Sequence, residues 1–145
     1  MILVDNRKGR WDYEILEEIT AGIALVGWEV KSLREKNAHL KGAWVQIKPG
    51  KCALIGAHIA PWKSAEHQES TDPYRERILL LHKKEIEKIG RKVAEKQCTV
   101  VPLKIFLERG KIKIQIALAK GKKKYEKKQV LKERTLEKEA KKILR

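Results

Sequence analysis

The clearest signal along this chain is a strict alternation of apolar and polar positions between residues 103 and 118. Ile112, Ile114, Ile116 and Leu118 recur at every second position, with Lys111, Lys113 and Gln115 between them; this is the period of a strand with one buried face. Just upstream, Leu103, Ile105 and Leu107 alternate with Lys104, Phe106 and Glu108, and the link ERGK carries Gly110, so a hairpin is predicted here. A second hairpin is predicted from AWVQIK and CALIGAHIA, which flank Pro49 and Gly50. A third is predicted from YEILEEI and GIALVG, joined through Thr20, Ala21 and Gly22.

Helical spacing appears twice. WEVKSLREK, residues 28–36, sets Val30 and Leu33 three apart, and the stretch from His82 to about Lys96 aligns Ile86, Ile89 and Val93 on one stripe. Between them, PWKSAEHQESTDPYRER is polar, holds two prolines and reads as a surface loop. The expected fold is mostly β with helices: a six-stranded antiparallel OB-like β-barrel flanked by two or three helices, plus a basic C-terminal tail. Closure is favoured because an open six-stranded sheet leaves two unpaired edges. The expected division is a barrel domain, residues 1–121, and a tail, residues 122–145.

Charge changes the picture more than composition does. Thirty-four Lys and Arg against 19 Asp and Glu leave a net +15 over 145 residues, a field that favours polyanionic partners. The tail carries 11 basic and four acidic residues. Like-charge i,i+4 pairs such as Lys124–Lys128, Lys128–Lys132 and Lys138–Lys142 oppose an isolated helix, each by about 0.2–0.5 kcal/mol. A tail that is disordered when free and helical against a polyphosphate surface is expected. Cys52 and Cys98 stand alone without a CxxC pair, which argues against a zinc ribbon or a disulfide framework and for small core residues in a reduced compartment. MILVDNRKGR has no apolar signal core, and ILLL at 78–81 is the longest purely aliphatic run, so a soluble cytoplasmic protein without a membrane partner is expected.

Candidate chemistry is sparse. No phosphate-binding glycine loop, HExxH, GxSxG or paired aspartates occur, so neither a catalytic residue nor a cofactor or metal is expected. His82 and Glu85 lie one turn apart, a spacing that suits the first turn of a surface helix better than a metal or acid–base pair. His58, in GAHIA, has small neighbours in Gly56 and Ala60, and reads either as a solvated strand histidine or as a flat place where a base or sugar could approach. The short helix offers Glu29, Lys31, Ser32 and Arg34, a mix that either forms an ordinary salt-bridged outer face or discriminates RNA shape by pairing phosphates with cations and base amines with a carboxylate. Arg75 and Arg77, two apart in an extended segment, should point to the same side and suit a phosphate backbone.

The stretches NRKGRWDYEILEEITAGIALVGWEVKSLR, DPYRERILLLHKKEI, VPLKIFLERGKIKIQIALAKGKKKYEKK and LKER, in this order, resemble the small protein B family, the tmRNA-binding proteins of bacterial trans-translation. The resemblance runs from about Asn6 to the C-terminus. It implies an oligonucleotide-binding barrel and a non-enzymatic RNA-binding factor, here expected to be monomeric. Such a factor would bind the tRNA-like domain of tmRNA and, with elongation factor Tu and GTP, enter the vacant A site of a stalled ribosome. Its tail would become helical in the empty mRNA channel. By the same resemblance the RNA-binding residues are Asn6, Arg7, Lys8, Glu29, Lys31, Ser32, Arg34, His58, Arg75, Arg77, Lys120 and Lys122. Tyr125, Glu126, Lys127 and Lys128 match the decoding-centre motif at the base of the tail, with Tyr125 a stacking residue among lysines. The usual pattern has Asp at Glu126 and Arg at Lys128; charge is kept, but a planar bidentate guanidinium is lost at the latter. Trp28, where Thr or Ser is common, is a further departure. The rival reading is a general OB-fold binder of structured RNA or single strands, for which Phe106 is the one aromatic on a predicted outward strand face.

Overall fold

A computed structural model describes residues 1–61 and 72–121. Lys122, the motif Tyr125, Glu126, Lys127 and Lys128, and the whole expected tail lie outside the described residues. Within them the chain forms β1 (Ile2–Asp5), α1 (Arg7–Asp12), β2 (Tyr13–Ile23), α2 (Gly27–Arg34), β3 (Ala38–His39), β4 (Trp44–Lys48), β5 (Lys51–Ile55), β6 (His58–Ile59), β7 (Arg77–Leu80), α3 (Lys83–Lys96), β8 (Thr99–Glu108) and β9 (Lys111–Gly121). The fold is mostly β and antiparallel with three helices, as expected. Seven strands make one sheet in the order β1-β8-β9-β2-β7-β5-β4, while β3 and β6 pair separately as a short ribbon. The sheet curls so that β4 approaches β8, but its hydrogen bonding ends at β1 and β4, leaving the barrel unclosed.

Two expected hairpins are present, β4–β5 across Pro49-Gly50 and β8–β9 across Arg109-Gly110. The third is not. Residues Tyr13–Ile23 form one continuous strand, paired to β9 along most of its length and to β7 at its end. Gly22 suggests a turn in the sequence, but in the structure it faces Leu80, whose Cβ lies only 3.1 Å from where a Gly22 Cβ would stand; its role is close approach of two strands rather than reversal. CALIGAHIA also fails to run through as one strand. Gly56 sits at φ +77, a left-handed conformation that breaks the ladder and sends His58–Ile59 to pair with Ala38–His39.

The core forms where the alternation placed it: Ile114, Ile116 and Leu118 are fully buried together with Val100, Ile105, Leu33, Leu54 and Ile59. One inversion breaks the pattern. The β8–β9 register shifts between Pro102 and Lys104, so Leu103 is the extra residue of a bulge. Pro102 has no N–H to give the ladder, which favours such an interruption. Leu103 therefore joins Val101, Ala117 and Ala119 in a second small core, packed against Tyr13 and Ile15, instead of sharing a face with Ile105. Near α1 the sheet is thus buried on both sides. Trp28 is also in the main core, 2% exposed, so the large residue at that departure from the family pattern serves packing.

Both cysteines are free, Cys52 buried and Cys98 part-exposed. Burial pushes the Cys52 thiol up to about 11, which keeps it protonated and unreactive at neutral pH. Alkylation of the native protein at pH 8 should therefore label Cys98 first and reach Cys52 only on unfolding. Mass spectrometry of the labelled peptides checks this, and equal native rates would contradict the burial described.

Candidate nucleic-acid interface

The polar centre of the molecule is built on the first turn of α2. Glu29 is the third helical residue, and its carboxylate accepts from the Val26 N–H at 3.0 Å, satisfying one of the donors a helix start leaves free. The same carboxylate receives Arg75, through Nη2, and Arg77, whose Nε donates at 2.6 Å. Arg77 also donates to the carbonyl oxygens of Ala57 at 2.7 Å and Pro73 at 3.1 Å. Glu29 and Arg77 are both fully buried, whereas the Arg75 side chain remains 28% exposed. The β7 register explains the arrangement: Arg77 and Leu79 alternate inward while Ile78 and Leu80 face solvent. A guanidinium thus holds a core position in the strand, and a carboxylate 48 residues away neutralises it.

The electrostatics agree with the geometry. Burial works to raise the Glu29 pKa, but the Arg75 hydrogen bond, the Val26 N–H and the Arg77 cation outweigh it and leave the carboxyl below its ordinary 4.5. Burial lowers the Arg77 pKa, and the Glu29 carboxylate opposes that shift.

The expected site residues therefore divide into two groups. Glu29, Ser32, Asn6 and Arg77 are buried and committed to internal hydrogen bonds. Ser32 Oγ donates to the Ala60 carbonyl at 2.5 Å, tying α2 to the end of β6. Asn6 caps α1, its Oδ1 accepting from the Gly9 N–H at 3.0 Å and its Nδ2 donating to Pro102 O at 2.8 Å. Arg75 and Arg77 do point to one side, as their spacing predicts, but that side is inward, toward Glu29, because the carboxylate has already claimed them. The α2 mix is not a salt-bridged outer face: its acidic member, Glu29, faces the core and pairs with Arg75 and Arg77 from another segment. Lys31 and Arg34 on α2, Arg7 and Lys8 on α1, and Lys120 at the end of β9 are exposed. Lys120 pairs in register with Glu14 of β2.

His58 lies on the short ribbon, opposite its register partner His39, with the two rings parallel. It is part-buried, and burial, followed by the nearby His39 and Arg77, lowers its pKa. Phe106 is half-buried, with the Lys104 ammonium 5.4 Å from its ring centroid. His82 and Glu85 mark the exposed start of α3, 4.0 Å apart. Among the described residues no three His, Cys, Asp or Glu side chains gather as a metal site, and no helix is long and apolar enough to cross a membrane. Sequence reasoning gave no signal for β1, α1 or β3, nor for Tyr74, whose ring packs edge-on against His58.

Glu29→Gln should cost about 3–5 kcal/mol in urea unfolding, because it leaves a buried guanidinium uncompensated. Lys31→Ala, exposed on the same helix, should stay within about 0.5 kcal/mol of wild type. Since the folded Glu29 carboxyl titrates below 4.5, its contribution is complete above that pH and drains away as the pH falls through the lowered folded value. The acid limb of the wild-type stability curve should therefore be steeper than that of Glu29→Gln. Parallel limbs would mean that Glu29 is not the group being protonated.

The SmpB protein family model matches residues 3–145. The SsrA-binding protein of Sulfurihydrogenibium sp. (strain YO3AOP1) is 49% identical over 141 residues, 97% of this chain and 92% of the relative. That of Ralstonia pickettii (strain 12J) is 43% identical over 145 residues, 100% of this chain and 98% of its own. A chain in a solved structure of tmRNA-SmpB, described as a journey to the center of the bacterial ribosome, superposes with a TM-score of 0.67 at 46% identity, covering 83% of this chain and 84% of that one. Matched along nearly its whole length, this chain belongs to the SmpB family.

Proposed function

We propose that this chain is a non-enzymatic RNA-binding factor that binds the tRNA-like domain of tmRNA and delivers it to the A site of stalled ribosomes. The observation that carries the reading is family membership across residues 3–145, with relatives named as SsrA-binding proteins and a structural relative described with tmRNA on the ribosome. The physical features fit. A body that spends Glu29, Arg77, Ser32 and Asn6 internally keeps Arg7, Lys8, Lys31, Arg34 and Lys120 outside, where cations can meet phosphates. Arg75 is intermediate, its guanidinium on Glu29 but still reachable from solvent.

In this reading the buried residues act indirectly, by fixing the pose of α2 and the ribbon. Residues 122–145 form the second working part and read the empty mRNA channel, with Tyr125, Glu126, Lys127 and Lys128 at the decoding centre and Lys122 extending the tmRNA surface. The protein acts as a monomer in the cytoplasm and meets elongation factor Tu and GTP through the tmRNA it carries.

The deciding experiment is competitive binding of the tRNA-like domain and an ordinary elongator tRNA across a salt series. A preference for the tRNA-like domain that survives raised salt is expected; equal affinities that collapse together would leave only charge neutralisation. Lys31→Ala should lower affinity and reduce the slope of log affinity against log salt by roughly one phosphate's worth, about 0.7–0.9. Deleting 122–145 should leave RNA binding largely in place and abolish peptide tagging, and equal loss of both would refute the two-part division.

A further inference from the structure

A group of rings beside the Glu29 cluster has a geometry that the internal contacts do not use up. His39 of β3 and His58 of β6 stack with centroids 4.8 Å apart and planes 6° from parallel. Tyr74 packs against His58 at 5.0 Å, its plane inclined 65°. The three rings come from three segments that the ribbon and Pro73 bring together: Ile59 N–H donates to Pro73 O at 3.0 Å, and Tyr74 N–H donates to Asp72 Oδ1 at 2.9 Å. On the other side of Tyr74, Arg75 is locked onto Glu29. The backbone of Tyr74 is therefore held on both flanks, yet the residue remains 53% exposed.

Each neighbouring group bears on what this ring can receive. His39 Nδ1 is buried and makes no hydrogen bond among the described residues, so the histidine pair is held by ring faces and not by a polar network. Burial, followed by the nearby His39 and Arg77, disfavours the charged form of His58, and Arg77 is itself paired with Glu29. Exposed cations lie on elements joined to this cluster: Lys31 on α2, whose Glu29 holds Arg75 and whose Ser32 bonds the Ala60 carbonyl, and Lys41, two residues beyond His39 in the chain. A rigid, half-open π surface, on a body whose neighbouring elements also carry exposed cations, suits an unpaired nucleobase. Structured RNAs offer unstacked bases in loops, bulges and ends, and these are commonly received on Tyr and His rings.

We propose that Tyr74, backed by the His58–His39 stack, is a shelf on which an unpaired base of the bound RNA stacks. The proposal rests on the RNA-binding reading above and adds a base-contacting residue to it. Tyr74 acts through its ring face, so Tyr74→Phe keeps the function and Tyr74→Ala removes it.

The test is affinity for the tmRNA tRNA-like domain across a salt series, with wild type, Tyr74→Ala and Tyr74→Phe compared alongside their thermal midpoints. Tyr74→Ala should weaken binding by roughly 5- to 100-fold with an unchanged salt slope, because stacking neutralises no phosphate. Its midpoint should stay within about 2 °C of wild type, as for an exposed side chain. Tyr74→Phe should bind within about twofold of wild type. Wild-type affinity in Tyr74→Ala would overturn the shelf, and so would a loss that Tyr74→Phe shares or that follows a fall in the midpoint. Equal wild-type binding to elongator tRNA would overturn the tmRNA reading alone; Tyr74→Ala would then be judged on whichever RNA binds. A wild type that binds no RNA would overturn both.

Discussion

The pairing of Glu29 with Arg77 is the constraint around which the rest of the body is arranged. A fully buried guanidinium is tolerable only if its donors are met, and here they are met by a helix carboxylate, the carbonyl before β6 and the carbonyl before Tyr74. Each partner lies on a different segment, so satisfying one side chain fixes α2, the β5–β6 connection and the entry to β7 at once. Hydrophobic residues of equal volume could fill the same space, but they would not specify which atoms must meet.

This economy of charge explains how a chain with a net +15 presents its cations selectively. Arg77 is withdrawn from the surface and Arg75 is half withdrawn, both onto Glu29, while Lys31 and Arg34 remain outside on the helix that Glu29 anchors. The exposed cations are thus displayed on a helix whose orientation is internally determined. A surface of that kind can respond to the shape of an RNA as well as to its charge.

Much of the architecture was legible in the sequence because period-2 alternation reports burial directly: the β8–β9 hairpin, the β4–β5 hairpin and helices α2 and α3 are all where the pattern puts them. The misreadings share one cause, which is that a local signal has more than one physical origin. Gly22 reads as a turn, yet its missing side chain makes room for Leu80. Leu103 reads as a facemate of Ile105, yet the bulge after Pro102 turns it to the second core. Arg77 reads as a phosphate grip, yet its register points it inward, and nothing within its own segment reveals the carboxylate waiting at Glu29. Asn6 and Ser32 show the same limit, since their carbonyl partners, Pro102 and Ala60, are far along the chain. Of the rings His39, His58 and Tyr74 only His58 stands out in the sequence, and the three come together only when the ribbon and the Asp72 turn assemble them.

The strand order also sets a timetable for synthesis. β1 pairs with β8, so Ile2 meets Phe106, and β2 is zipped along β9, so Tyr13 meets Gly121. At roughly 5–20 residues per second of elongation, the first strands wait on the order of five to twenty seconds for their partners to emerge. During that interval β1 and β2 lack their strand partners, although Arg77 follows Glu29 by only 48 residues and emerges well before Gly121. Assembly of the body is therefore an almost post-translational event dominated by long-range closure, the topology associated with slower folding. A factor whose proposed work concerns interrupted translation has a body that a message cut before Lys111 leaves without the strand joining β2 to β8.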